Sequence, residues 1–393
     1  MSALFGTYAR SPIAFERGEG VRLFTAEGEE YLDFYAGIGV MALGHHHPAL
    51  VKALKDGADK VWHVSNIFTI PESERLAQRL VDRTFADSVF FTNSGAEAVE
   101  CAIKTARRHF WSIGQPERTE IICFTGSFHG RTLGTIAAGG NPSYLEGFGT
   151  PLPGFRHARP NDIEAVKAKM SDKSAAIMVE PVQGEGGITV MSEQFLRDLR
   201  QLCDDNGLLL ILDEIQCGFG RTGKFFAYEW AGIEPDILCS AKAIGGGFPL
   251  GACLARGEVA KSMVPGTHGS TYGGNPLACT IGNAVLDEFD KPGFLDHVRD
   301  VAAHFHWHLQ QMAQKFPDLV VEVRGKGLIA GLKVTPPVRD LVARVRDHHL
   351  LTVAASDNVL RMLPPLIITK DEIDEGFERL TAAFEDYRNE QQS

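Results

Sequence analysis

Cysteine is scarce in this chain and carries no pairing pattern. There are seven in 393 residues, with no Cys-x-x-Cys spacing, and most sit inside apolar stretches such as Ile121-Ile122-Cys123-Phe124 and Ile237-Leu238-Cys239. This excludes a disulfide framework and a thiolate-caged metal and predicts reduced thiols in a core. Long hydrophobic runs are also missing. None reaches the roughly 18 residues that span a bilayer, and the opening Met1-Ser2-Ala3-Leu4-Phe5 lacks the basic head and apolar centre of a secretion signal. A cytoplasmic protein without a membrane partner is expected. Positive charge is in deficit: 39 Lys and Arg stand against 50 Asp and Glu, a net charge of −11. With no basic stripe to follow a phosphate backbone, nucleic acid is not an expected partner. Repeats and low-complexity tracts are absent as well, so solenoid and disordered classes fall away.

What the chain does contain is an ordinary globular balance, 44% hydrophobic and 23% charged, over a length at which one core stops growing and a second domain is expected. From about residue 72, helical and extended patterns alternate. Helices are predicted at 72–83, 95–111 and 192–206, and strands at Ser88–Thr92, Glu120–Phe124, Ala175–Glu180, Leu208–Asp213 and Asp236–Cys239. Short, nearly continuous apolar strands of this kind suit a sheet covered on both faces by helices, so an α/β large domain is predicted. Beyond a helix at 276–289 the rhythm changes to a long helix at 295–315, shorter pieces from Val320, and a final helix at 371–388. The expected organisation is an N-terminal segment 1–45, a large domain 46–290, and a smaller α+β domain 291–393. The N-terminal segment, broken by Gly18, Gly20, Gly28, Gly37 and Gly39, is expected to pack on the smaller unit or on a partner subunit.

Three features carry chemistry. In Thr92-Asn93-Ser94-Gly95-Ala96-Glu97 a strand gives way to a helix whose first N–H groups are left open by small residues. That is either an ordinary capped helix or a seat for a phosphate. The apolar run Leu208–Leu212 ends in Asp213-Glu214-Ile215-Gln216, which puts an acid at the strand edge where open α/β sheets bind ligands; a solvated loop acid is the bland alternative. Finally, Asp236-Ile237-Leu238-Cys239-Ser240-Ala241-Lys242 sets a lysine beyond another strand, with Gly245-Gly246-Gly247 following. A lysine there is ordinarily a surface charge. Together, however, the three supply a phosphate seat, an acid for a pyridine nitrogen and an amine for an aldehyde.

Across nearly its whole length the sequence resembles the class III aminotransferases of fold type I, and among them the acetylornithine branch. The resemblance rests on Asn93-Ser94-Gly95-Ala96-Glu97-Ala98, Ser127-Phe128-His129-Gly130-Arg131-Thr132, Glu180-Pro181-Val182-Gln183-Gly184-Glu185-Gly186-Gly187 and Asp213-Glu214-Ile215-Gln216. It continues through Gly218 to Gly223, Ser240-Ala241-Lys242 and Gly269-Ser270-Thr271-Tyr272-Gly273-Gly274-Asn275-Pro276. It implies pyridoxal 5'-phosphate as cofactor, joined covalently to Lys242, with Asp213 beside the protonated ring nitrogen and Gln216 at the phenolic oxygen. By the same resemblance Gly95 and Ala96 give N–H groups to the phosphate, Phe128 stacks on the ring, and Thr271 reaches the phosphate in the neighbouring subunit of a homodimer. Ser94, Glu214 and Ile215 complete the implied cofactor set. Arg131, Ser270 and Tyr8 are implied on the substrate, together with Arg361, which would alternate between Glu185 and an incoming α-carboxylate. The implied reaction moves the terminal amine of N-acetyl-L-ornithine to 2-oxoglutarate, as a step of arginine biosynthesis. Succinylornithine, ornithine, 4-aminobutyrate and N-succinyl-diaminopimelate are the alternative donors. Ile38, where ornithine-type relatives tend to carry tyrosine, favours the acetylated one, and Met41 departs from the asparagine of many acetylornithine enzymes.

Other readings are weaker. Gly218-Phe219-Gly220-Arg221-Thr222-Gly223 matches the dinucleotide fingerprint Gly-x-Gly-x-x-Gly, yet Asp213 to Cys217 separate it from its strand, whereas the fingerprint turns directly from strand to helix. The same stretch mimics a P-loop but has Phe225 where a magnesium-binding hydroxyl belongs. A non-catalytic pyridoxal-binding module is disfavoured by the joint presence of Lys242, Asp213, Gln216 and Arg131. His45-His46-His47 and the set His304, His306 and His308 invite a metal reading, but the sequence shows no carboxylate or cysteine set beside them, so structural histidines and no metal are expected.

Overall fold

The computed structural model describes residues 3–392. Its centre is a seven-stranded sheet in the order Ser88–Thr92, Gly251–Ala255, Ile237–Ser240, Leu209–Asp213, Ser174–Val179, Glu120–Phe124, Phe155–Ala158. Gly251–Ala255 runs antiparallel to both neighbours, and the remaining pairs are parallel. Every residue of Ser174–Val179, Leu209–Asp213 and Ile237–Ser240 is buried, which explains runs without polar alternation: helices close both faces.

Helix 95–112 shows how local sequence builds this cover. Ser94 caps it by accepting from Glu97 N, and its buried stripe of Ala98, Val99, Ala102, Ile103 and Ala106 follows the 3–4 residue spacing of one helix face. Small side chains there let the helix settle close to the strands.

The C-terminal region forms a four-stranded antiparallel sheet, Val320–Lys326, Ile329–Val334, Val359–Met362 and Val353–Ala355. The helices Phe294–Lys315, Val338–Asp347 and Lys370–Gln392 pack with it. The N-terminal strands Phe15–Glu19, Arg22–Thr25 and Glu30–Asp33 form their own sheet, which continues into Leu350–Leu351 by parallel pairing with Leu32–Asp33. The two ends of the chain thus meet through a backbone ladder. A helix at Pro48–Ala58, with Pro48 in its first turn, adds an element that the sequence reading did not assign. No helix among the described residues is long and apolar enough to cross a membrane.

Candidate active site

All the chemistry-bearing segments leave the same edge of the large sheet. Thr92, Phe124, Val179, Asp213 and Ser240 end parallel strands, and the antiparallel Gly251–Ala255 begins there, which places Gly247–Leu250 beside them. Between these loops lies a cavity of about 440 Å³ bordered by Ser94, Gly95, Ala96, Phe128, Arg131, Asp213, Ile215, Gln216 and Lys242.

Asp213 is buried, and both its oxygens are held in place. Oδ2 lies 2.7 Å from His129 Nδ1 and Oδ1 accepts from Ile215 N at 3.1 Å. Each carboxylate oxygen keeps a further lone pair for a ligand. Burial opposes charge on His129, but the adjacent Asp213 outweighs it and raises the imidazole above its ordinary value. Glu180 follows Ser174–Val179, one residue outside the strand, correcting the predicted Ala175–Glu180 boundary. Its Oε1 accepts from Phe128 N at 2.9 Å. Burial pushes its carboxyl up to about 8, with His129 opposing and Asp213 reinforcing. His129 and Glu180 lay within the recognised motifs without a role. Their signal is that each is a polar residue in a run otherwise made for burial, next to a residue that already had an assignment.

Lys242 sits in the left-handed region at φ +52°, a conformation that costs a non-glycine residue about 1–3 kcal/mol and is concentrated at functional positions. Burial, followed by the positive charge of Arg361, lowers its amine to about 8, against the pull of Glu185, Asp213 and Glu180. Desolvation disfavours the charged form, so a larger share of the amine is neutral than on a surface lysine.

Two arginines stand near the cavity. Arg361, on strand Val359–Met362 and only 1% exposed, binds Glu185 Oε1 through Nη2 at 2.7 Å and donates from Nη1 to Gln216 Oε1 at 2.9 Å. Gln216 is itself tightly seated, since a Cβ on Gly184 would lie 1.8 Å from its Oε1. Arg131, by contrast, is exposed; its guanidinium lies 3.7 Å from the Tyr144 ring centre and 5.6 Å from that of Phe128.

Some implied site residues lie elsewhere. Glu214 faces away from the cavity and accepts from Ala227 N and Tyr228 N at 2.5 and 2.9 Å, because successive side chains at a strand end point to opposite sides. Burial raises its carboxyl to about 8. Its side chain does not border this cavity and braces the Ala227–Trp230 turn. Ser270, whose Oγ accepts from Gly273 N at 2.9 Å, and the exposed Thr271 do not border this chain's cavity, and Tyr8 is 74% exposed. The glycine run at 218–223 is a joint: Arg221, fully buried, donates through Nη1 to the carbonyls of Leu328 and Pro364. Asp236, downstream of that run, is held by Arg200 at 2.7 Å and accepts from Leu210 N.

The residues present fit pyridoxal phosphate. An open N-terminus of an 18-residue helix faces an amine and a clamped carboxylate across a cavity with an aromatic wall. A Cβ at Gly95 would come within 2.8 Å of Ile215, so the phosphate-facing turn has no room for a larger residue. The family model for class-III aminotransferases matches residues 6–384. This chain belongs to the class III aminotransferases. An acetylornithine aminotransferase of Agrobacterium fabrum is 57% identical over 97% of this chain and 95% of its own. Among solved structures, the ornithine aminotransferase of Toxoplasma gondii, crystallised with partial occupancy of PLP in its active site, superposes with a TM-score of 0.95 at 30% identity, covering 100% of this chain and 94% of that one. An N-acetylornithine aminotransferase of Stenotrophomonas maltophilia gives 0.85 at 37% identity, over 97% and 98% of the two chains. The class III aminotransferase thus carries its amine, acid and helix terminus on one sheet edge.

Proposed function

We propose that this class III aminotransferase uses pyridoxal 5'-phosphate to move the terminal amine of N-acetyl-L-ornithine to 2-oxoglutarate. The products are N-acetyl-L-glutamate 5-semialdehyde and L-glutamate, as a cytoplasmic step of arginine biosynthesis. The observation that carries the reading is the unequal state of the two arginines: Arg361 is neutralised by Glu185, whereas Arg131 has no ion pair or hydrogen bond among the described residues and lies on Tyr144. A donor whose carboxylate is far from its reacting amine suits such a site. Arg131 binds that carboxylate bidentately, and the closed Arg361–Glu185 pair makes no demand for a second one. When 2-oxoglutarate enters, its α-carboxylate replaces Glu185 on Arg361.

When bound, the cofactor supplies an aldehyde for the amine and a ring that accepts the electrons of a broken C–H bond. Asp213, oriented by His129, would pair with the ring nitrogen and favour its protonated form. Lys242 Nζ would hold the cofactor's aldehyde and, as a general acid/base, would carry the proton of the substrate carbon, a role that suits its lowered pKa. The N–H groups of Gly95 and Ala96 would hold the phosphate at a helix terminus, and Phe128 and Gln216, which border the same cavity, would hold the ring. Ile38, half-buried two residues before the cavity-lining Val40, offers no acceptor to a free α-ammonium and so favours the acylated donor.

Thr271 and Ser270 serve the cofactor and substrate of a second copy. Beside them lies an exposed apolar group, Val61, Trp62, Ile67, Phe68 and Tyr272, with Asn66 tying the two segments through Ser270 O and Gly273 O. Such a patch supports a homodimer. The deciding experiment follows the absorbance of the holoenzyme with single amine donors. N-acetylornithine should react fastest, and a faster ornithine or 4-aminobutyrate half-reaction would overturn the donor.

A further inference from the structure

Away from the Lys242 cavity, the helices Phe294–Lys315 and Lys370–Gln392 border a groove of about 650 Å³. His304 and His308, one helical turn apart, enter it from the first helix, and Asp374 meets them from the second. Asp374 Oδ1 lies 2.5 Å from His304 Nε2 and 2.6 Å from His308 Nε2. The ligand atoms of the three residues all fall within 4.8 Å of one another. This corrects the sequence reading that no carboxylate stands by these histidines. The acid is 66 residues beyond His308 in the chain, invisible to any local spacing.

We propose that His304, His308 and Asp374 form a binding site for a divalent transition metal of the zinc type, linking the two helices. Histidines four apart share one helix face and converge on a single point. Two imidazole nitrogens with one carboxylate oxygen are ligands that zinc accepts and that magnesium or calcium, which require oxygens, do not favour. His308 is oriented independently of Asp374: its ring stacks on buried Phe377 at 4.7 Å and 12°. Zinc bonds of about 2.0–2.1 Å in tetrahedral geometry put ligand atoms about 3.3 Å apart, so to admit the ion the carboxylate must withdraw by about 0.7 Å and the two imidazoles must draw together from a spread of up to 4.8 Å. The Asp374 side chain is 47% exposed, and its only ion pairs among the described residues are with these histidines. The carboxylate's share of that motion is therefore a rotamer adjustment at a surface, and the half-buried imidazoles close by turning about their side-chain bonds. Glu378, one turn beyond Asp374, borders the same groove and offers a further oxygen; water completes the coordination.

His306 is not part of the set. Its Nε2 is engaged with the carbonyl of Gly327 at 2.9 Å. None of the three ligands borders the Lys242 cavity, so the ion acts as a cross-link between helices and not in transamination. All seven cysteines are buried, which keeps competing thiolate sites low.

The test titrates zinc chloride calorimetrically into holoenzyme treated with EDTA and dialysed, with thermal unfolding read in parallel. One ion per chain with micromolar or tighter affinity is expected, with a raised Tm and no comparable response to magnesium. His304→Gln and Asp374→Asn should each weaken binding at least about tenfold, while the metal-free kcat of both variants stays that of the parent and shows that they fold. Zinc affinity unchanged in both variants, or no binding to the parent below about 1 mM, would overturn the site and leave a hydrogen-bonded clasp between helices.

Discussion

The two arginines flanking the Lys242 cavity stand in opposite states. Arg361 comes from the C-terminal sheet, is buried, and is engaged by both Glu185 and Gln216; Arg131 comes from a loop of the large sheet, is exposed, and rests on an aromatic ring. A guanidinium already paired yields only to a carboxylate that replaces its partner, whereas an unpaired one receives a carboxylate at no cost in broken contacts. In the proposed function one cation is a gate and the other a standing seat, and that difference would sort donors from acceptors.

The largest effect tests whether both cations serve one amine. Lys242→Ala should lower glutamate formation from N-acetylornithine by about 10⁴-fold or more while pyridoxal phosphate still binds, more weakly, by equilibrium dialysis. Surviving turnover would remove the centre to which the comparison refers. Next, Arg131→Ala should raise the apparent Kd of N-acetylornithine in the half-reaction about 100-fold, the scale of a lost charged hydrogen-bond pair. An unchanged Kd would mean that the exposed arginine is no seat.

Arg361→Ala should slow the 2-oxoglutarate half-reaction by about 10–100-fold and the donor half-reaction by less, with stopped-flow absorbance comparing the two. Equal damage to both sinks the gate. The smallest effect concerns the free amine in the apoenzyme. Capture of pyridoxal phosphate needs neutral Lys242, so its rate, followed by absorbance, should rise with pH and level off above about 8. At pH 7 about a tenth of such an amine is neutral, against well under a thousandth for an ordinary lysine. Because Arg361 contributes to that lowering and Arg131 is not among its causes, Arg361→Ala should move the midpoint upward and Arg131→Ala should leave it in place. Equal midpoints would show that burial alone sets the amine.

Much of this arrangement could be read before any coordinates. The strands were legible because burial on both faces writes unbroken apolar runs, and their ends located Asp213 and Lys242. The parting of Asp213 and Glu214 was not legible, because a motif names neighbours in sequence whereas at a strand end side chains point to opposite sides: Asp213 borders the cavity and Glu214 binds Ala227 N and Tyr228 N. His129 and Glu180 acquired their parts only when three strand ends came together around Asp213.

The sequence by itself determined the α/β alternation, the family, and which residues are the candidates for amine, acid and phosphate seat, because each depends on residue type at short spacing. Tertiary structure alone decided that Arg361 is closed by Glu185 while Arg131 stands open, and that Asp374 joins His304 and His308. Those states depend on contacts between segments far apart in the chain and on how completely packing removes water from them, which no local pattern records.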